Sequence, residues 1–517
     1  MHASELVVEE IRMQLGFLID HRKCIGCHAC SIACKEENQV PLGVYRTWVK
    51  YVEKGAFPHT RRHFAVLRCN HCANAPCVRI CPVTALYYRS DGIVDFDQEA
   101  CIGCKACMQA CPYDALYIDP QTHTAAKCHF CAHRVEVGLK PACEIVCPEQ
   151  AILSGDLEDP QSLISRLVSR EVVQVRKPEQ GTRPKLFYID ADEAALTPTA
   201  ASPANGYLWS EAPADPLAGS DLLEMLATRA RTVYNVPHEP VWGGKVALYI
   251  WTKSIAAGTF LLGGLLPALG FLPETGLLRW GGSLLAILFL VITGLLLIWD
   301  LKRPERFYTI LLRPQWKSWL TLGAFIITIY GLVLGLWLLT TLIGLETPRT
   351  VFLWMGLLFA VLTAVYTAFL FGQAEGRDLW QNPLLPVHLL LQAVLAGAAA
   401  LLFLGTLTLS LSGAERSLLG SILGWGLFLN LFLILGELLT SHPNGETAQA
   451  IRFITAGPVK LLFWGGVVLG GSLLPLLLLG LIGTTSLIAF LSGVLALAGL
   501  LAFEQVWVLA GQSVPLS

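Results

Sequence analysis

All sixteen cysteines of this 517-residue chain lie between Cys24 and Cys147, and none follows. They form four tight sets: Cys24, Cys27, Cys30 and Cys34; Cys69, Cys72, Cys77 and Cys81; Cys101, Cys104, Cys107 and Cys111; Cys128, Cys131, Cys143 and Cys147. A proline follows each of the last three sets, at Pro82, Pro112 and Pro148. Disulfide frameworks scatter their cysteines through a small exported domain, whereas groups of four suit a metal centre. The opening segment MHASELVVEEIRMQLGFLID has acids where a cleavable signal needs bases, and it lacks a sustained apolar core.

The first and third sets follow C-x2-C-x2-C-x3-C, the spacing of bacterial ferredoxins. Three close thiolates wrap three corners of an iron–sulfur cube. The small residues Gly26, Ala29, Gly103 and Ala106 let backbone amides approach the sulfurs. The fourth cysteine of such a run ligates the other cluster of a pair. The second and fourth sets are the same design with a loop inserted between ligands. Structural zinc also uses paired C-x2-C, but it has no use for the longer run. Four complete sets predict four [4Fe–4S] clusters and no [3Fe–4S] cluster. Spacing alone leaves open which sets pair. His28, His71, His129 and His133 lie among the ligands, where a hydrogen bond to sulfur or backbone is expected rather than iron ligation.

The rest of the chain is a different material. Net charge is −2 and no basic run points to nucleic acid. Residues 1–195 read as an α+β, ferredoxin-like tandem 4Fe–4S domain, and 196–240, rich in Ala, Pro, Ser and Asp, as a connector. Residues 241–517 read as an all-α bundle with eight transmembrane helices, near 246–269, 280–299, 318–342, 351–372, 386–411, 417–439, 458–482 and 486–509. The spans make the chain a multi-pass membrane protein, and the expected setting is a prokaryotic cytoplasmic membrane.

An even number of spans returns both ends of this half to one face, the face that carries the clusters. Lysine and arginine are enriched there, which by the positive-inside rule is the cytoplasmic side. Much of that excess is one loop, DLKRPERFYTILLRPQWK, which also suits docking or ligand binding. Lys253, Asp300, His388, Glu437 and Glu504 fall in the half of their helices nearest that face, and the opposite half shows no ionisable residue. Tyr249 and Lys253, four apart, share a helix face. A polar pocket inside a membrane bundle is what a quinone head group needs: hydrogen bonds for two carbonyls and a route for two protons. The competing readings are snorkelling for Lys253 and an interfacial position for Asp300 and His388. Of the two histidines here, His388 and His442, the second lies in a loop, so no haem is expected.

The segments NHCANAPCVRICPVTALY, KCHFCAHR and EQGTRPKLFY resemble the iron–sulfur subunit of polysulfide reductase and of DMSO-reductase-type complexes. WGGKVALYIWTKSIAAGTFLL, DLKRPERF and VLAGQ resemble the NrfD-like membrane subunit of the same complexes. These are commonly separate chains; here they are fused. The resemblance implies nested pairing: Cys24, Cys27, Cys30 with Cys147; Cys128, Cys131, Cys143 with Cys34; Cys101, Cys104, Cys107 with Cys81; and Cys69, Cys72, Cys77 with Cys111. It implies a catalytic partner carrying a molybdenum or tungsten bis-pterin cofactor, and menaquinone or ubiquinone bound by the first and fourth helices. The corresponding residues are Tyr249, where relatives have histidine, and Tyr366, with Lys253, Asp300 and Arg303 nearby. Family precedent often places the clusters outside the cytoplasm, against the charge count, so the side stays open. Two other readings remain: a proton-translocating module, or the same relay serving a hydrogenase or multihaem cytochrome.

Overall fold

The computed structural model describes residues 13–55, 59–202, 230–237, 240–439 and 444–517. Two compact units emerge, Met1–Glu239 with Pro515–Ser517, and Pro240–Val514. Most of the 196–240 connector lies outside the described residues, but its described ends form strands of the first unit.

The first unit is built around β1 (Leu15–Asp20), whose six residues are all buried. Such a continuous apolar run suits a central strand covered on both faces. It lies between β8 (Ile152–Asp156), antiparallel, and β10 (Leu186–Ile189), parallel, with β9 (Val173–Gln174) outside β10. A second sheet has the order β11 (Ala201–Ser202), β12 (Ala230–Tyr234), β2 (Thr47–Lys54), β3 (Arg61–Arg68). Two hairpins, β4–β5 (Leu86–Tyr88, Val94–Phe96) and β6–β7 (Leu116–Ile118, Ala125–Lys127), follow cysteine-bearing helices. The helices beside the cysteines are short: α1 (Ala29–Glu37), α2 (Pro76–Ile80), α3 (Ala106–Ala110), α4 (Ala132–Val135) and α5 (Ala142–Ile145). Helices under about 12 residues are marginal alone, so these depend on what they pack around.

Among the described residues, the second unit contains eight helices long and apolar enough to cross a bilayer, as the sequence predicts. They are α6 (Gly244–Ala268), α7 (Leu277–Asp300), α8 (Trp319–Ile343), α9 (Glu346–Gly372), α10 (Leu385–Leu407), α11 (Gly413–Leu439), α12 (Leu462–Ile482) and α13 (Ser486–Gly511). Helix α6 is the central post, with 89% of its apolar window buried against 28–67% in the others. Small residues permit this. Gly258 of α6 and Gly397 of α10 meet backbone to backbone, and a Cβ on either would overlap the main chain of the other. Helix α12 is wound as a π-helix from Leu462 to Leu473, ahead of Pro475.

Three helix starts differ from expectation by four residues or more, that of α12 falling later and those of α9 and α11 earlier. Helix α9 begins five residues early because Arg349 pairs with Glu346 in its first turn, at 2.9 Å, and also with Glu274. Helix α11 begins at Gly413 and carries Glu415, fully buried, into the half expected to lack ionisable groups. Its carboxylate accepts from the Ser412 amide at 2.8 Å and from the Thr275 hydroxyl, so it caps the helix start.

Gly397→Val should destabilise the membrane unit by about 1–3 kcal/mol, because main chain cannot move aside as a side-chain tip can. Thermal unfolding in detergent measures this, and Leu401→Val on the same helix should cost less.

Candidate functional site

The first unit gathers its thiols around hollows. Cys24, Cys27, Cys30 and Cys147 line one, and Cys81, Cys101, Cys104 and Cys107 line another. Cys34 faces Cys128, Cys131 and Cys143, and Cys72 and Cys77 face Cys69 and Cys111. The fourth cysteine of each run therefore joins a different group from its first three. The groups also adjoin one another in file. Cys30 neighbours Cys143, Cys128 neighbours Cys69, and Cys77 neighbours Cys107. Cys27, in the first group, is the exposed thiol of the sixteen, and all sixteen are free of disulfides.

The loops explain how the thiols converge. Gly26 and Gly103 hold φ of 70° and 69°, and His28 and Lys105 hold 60° and 65°, so the two ferredoxin runs share one left-handed path. Backbone amides point at sulfur: Gly103 and Ala125 to Cys101 at 3.4 Å each, Phe130 to Cys128 at 3.4 Å, Ala151 to Cys147 at 3.3 Å. Asn38 adds its side-chain amide, 3.7 Å from Cys34 and 3.8 Å from Cys131. Burial pushes the Cys30 and Cys111 thiols up to about 11 and Cys128 to about 12. Thiolates here need a cationic centre among them, and four soft sulfurs per hollow fit iron in a cube. The neighbouring histidines have other partners. His71 Nδ1 accepts from the Val94 amide at 3.3 Å, His129 lies 3.3 Å from Arg46, and His133 lies 2.8 Å from Glu37.

In the second unit, Lys253 is fully buried on α6 and donates to the α9 carbonyls of Ala364 at 2.8 Å and Thr363 at 3.3 Å. It does not snorkel. Its ammonium sits 5.1 Å from the Tyr366 ring centroid and faces Glu504 of α13. Tyr249, one turn earlier and also buried, faces Tyr366, Asp300 and Glu504. Tyr249, Lys253, Asp300 and Tyr366 thus meet in one polar cluster. Arg303 lies in the loop after α7, where its Nε donates to Glu305 at 2.7 Å. The buried Thr363 hydroxyl has no hydrogen-bond partner, which suits a ligand acceptor or donor.

A second polar cluster is only half visible in the sequence. His388 Nε2 lies 3.0 Å from Asn430 Oδ1 and 3.3 Å from Gln392, with Glu437 3.6 Å from Nδ1. Asn430 and Gln392 carry no charge to mark them, although a lone amide in an apolar span is itself a signal.

The model of the polysulphide reductase NrfD family matches residues 232–515, more than half the chain, and that of a 4Fe–4S dicluster domain matches 61–157. The chain belongs to the NrfD family. Among curated relatives, a subunit of the tetrathionate reductase of Salmonella typhimurium is 45% identical over 206 residues, covering 39% of this chain and 81% of the relative. A component of the polysulfide reductase of Wolinella succinogenes is 42% identical over 179 residues, covering 34% and 93%. The iron–sulfur subunit of the Shewanella arsenate respiratory reductase is 34% identical over 225 residues, covering 34% and 96%. The chain is an iron–sulfur electron-transfer module fused to an NrfD module, and a multi-pass membrane protein.

Buried cations accompany the thiols. Lys127 donates to the carbonyls of Cys128, at 2.9 Å, and Val94, and Lys185 to Gln14, at 2.9 Å, and Gly92. Lys50 of β2 is 1% exposed, and burial, then the Arg176 charge, push its ammonium down to about 8 from 10.5. Between those pH values the unfolded chain holds a proton that the folded chain has released, so stability rises with pH across that window. Lys50→Met should stabilise the first unit at pH 7 by about 1–3 kcal/mol, an advantage that shrinks as pH climbs toward 10.5. Thermal melts at the two pH values check this.

Proposed function

We propose that the chain relays electrons between a separate catalytic subunit, one carrying a molybdenum or tungsten bis-pterin cofactor, and the menaquinone or ubiquinone pool. Residues 1–195 hold four [4Fe–4S] clusters, 196–240 connect, and 241–517 form the quinone-reactive end; haem takes no part. The observation that carries the reading is the file of four thiol groups, each adjoining the next. A storage or structural role gains nothing from such a file. Clusters bound there would accept and pass single electrons. The chain's part is to hold them in sequence, exclude water and aim backbone amides at their sulfurs.

The polar cluster of α6 and α9 supports the quinone end. Tyr249 and the unpartnered Thr363 hydroxyl offer hydrogen bonds to quinone carbonyls, and Lys253 with Glu504 provides a buried acid–base pair for proton delivery. Asp300 lies within electrostatic reach of Tyr249. The relatives named as parts of tetrathionate, polysulfide and arsenate reductases support the reductase setting.

Purified with its neighbours, the chain should contain about sixteen iron atoms. Lys253→Met should keep that iron while slowing quinol-dependent cluster reduction at least tenfold, and Cys101→Ser should alter the signal of one cluster while the other three keep theirs. About four iron atoms in total, or quinol reduction untouched in Lys253→Met and insensitive to quinone-site inhibitors, would sink the reading.

A further inference from the structure

Arg68, the last residue of β3, is 0% exposed. Its Nη1 donates to Cys143 Sγ at 3.0 Å, closer than any of the amide–sulfur contacts described above. Cys128 and Cys30 also lie within its electrostatic reach, so the guanidinium stands where the first two thiol groups of the file adjoin. Its plane is held 4.6 Å from the Phe17 ring centroid, and Phe17 stacks on Phe130 at 4.1 Å, whose amide points at Cys128.

Three other buried cations here, Lys127, Lys185 and Arg176, have oxygen partners. Lys127 and Lys185 are met by carbonyls, and Arg176 donates to Leu196 O at 3.1 Å and Leu516 O at 2.7 Å. Arg68 has none. Its Nε and Nη2 are buried without a hydrogen-bond partner, and among the described residues no carboxylate pairs with it. A buried guanidinium whose hydrogen-bond acceptor is a sulfur is costly unless an anion occupies the hollow beside it.

We infer that Arg68 is a fixed counter-charge that raises the reduction potential of the cluster held by Cys34, Cys128, Cys131 and Cys143 above the value its sulfur environment alone would set. This rests on the assignment of those cysteines to a cluster. Reduction there takes one electron, given up by the adjoining site, and adds one negative charge. A permanent cation 3.0 Å from a ligand sulfur stabilises the added charge without any proton moving. Arginine suits the position because it stays protonated where a buried lysine shifts. It also places three nitrogens in one plane, reaching two groups at once.

The test is redox titration of the whole complex, followed by electron paramagnetic resonance, with iron counted in every preparation. Cys131→Ser identifies the signal of the cluster concerned. In Arg68→Gln, at the wild-type midpoint of that signal, the reduced-to-oxidised ratio should fall about tenfold, equivalent to about 59 mV for one electron, while the other midpoints move less. Arg68→Lys retains the charge but loses the fork, and should shift the same signal about threefold in the same direction. If Arg68→Gln fails to hold its iron, Arg68→Lys decides alone. Unchanged midpoints in the iron-replete variants, or equal shifts at every cluster, overturn the inference. A wild-type chain with too little iron for four clusters instead overturns the cluster assignment beneath it.

Discussion

The first unit depends on sulfur that cannot sit comfortably where the fold puts it. Buried thiols resist ionisation, and those of Cys30, Cys111 and Cys128 are held far above neutrality by their surroundings. The helices beside the cysteines are four to nine residues long and would not persist in water on their own. An iron–sulfur core resolves both problems together. It supplies the positive charge that thiolates require, and it ties short helices and tight loops into a framework that a modest apolar core would not hold. Cluster binding is then coupled to folding in this half of the chain.

The membrane half obeys a different constraint. Inside a bilayer there is no hydrophobic gain from helix association, so close contact comes from small residues and from polar groups that satisfy one another. Gly258 against Gly397 does the first, and the Lys253, Tyr249, Tyr366 and Glu504 cluster does the second. Helix α6 takes part in both, which accounts for its being the most enclosed of the eight.

Much of this is legible in the sequence, and the gaps have physical causes. Cysteine spacing names the cofactor class, and hydropathy locates eight spans, because both signals are local. For Lys253 the sequence leaves snorkelling open as a competing fate. Its bonds to α9 carbonyls show it turned inward, a matter of helix rotation that hydropathy does not encode. Glu415 escapes notice because it precedes the expected span; its cap with Ser412 is local, but its bond from Thr275 joins residues far apart in sequence. Asn430 and Gln392 stay hidden because they carry no charge, and hydropathy does not encode that both turn toward His388. Arg68 stands beside Cys69 and looks like any basic flank until β3 is seen to turn it inward.

The matching left-handed loops at Gly26–His28 and Gly103–Lys105 carry an evolutionary consequence. Two stretches of one chain that bend left-handedly at the same two positions of one cysteine spacing are copies of a single design. Each copy lends its fourth cysteine to a neighbouring group, so copies interlock rather than stand alone. A conductor made this way lengthens by duplication, with each added unit bringing its own relay point and its own joint to the next. Its reach can thus grow without a new fold being invented.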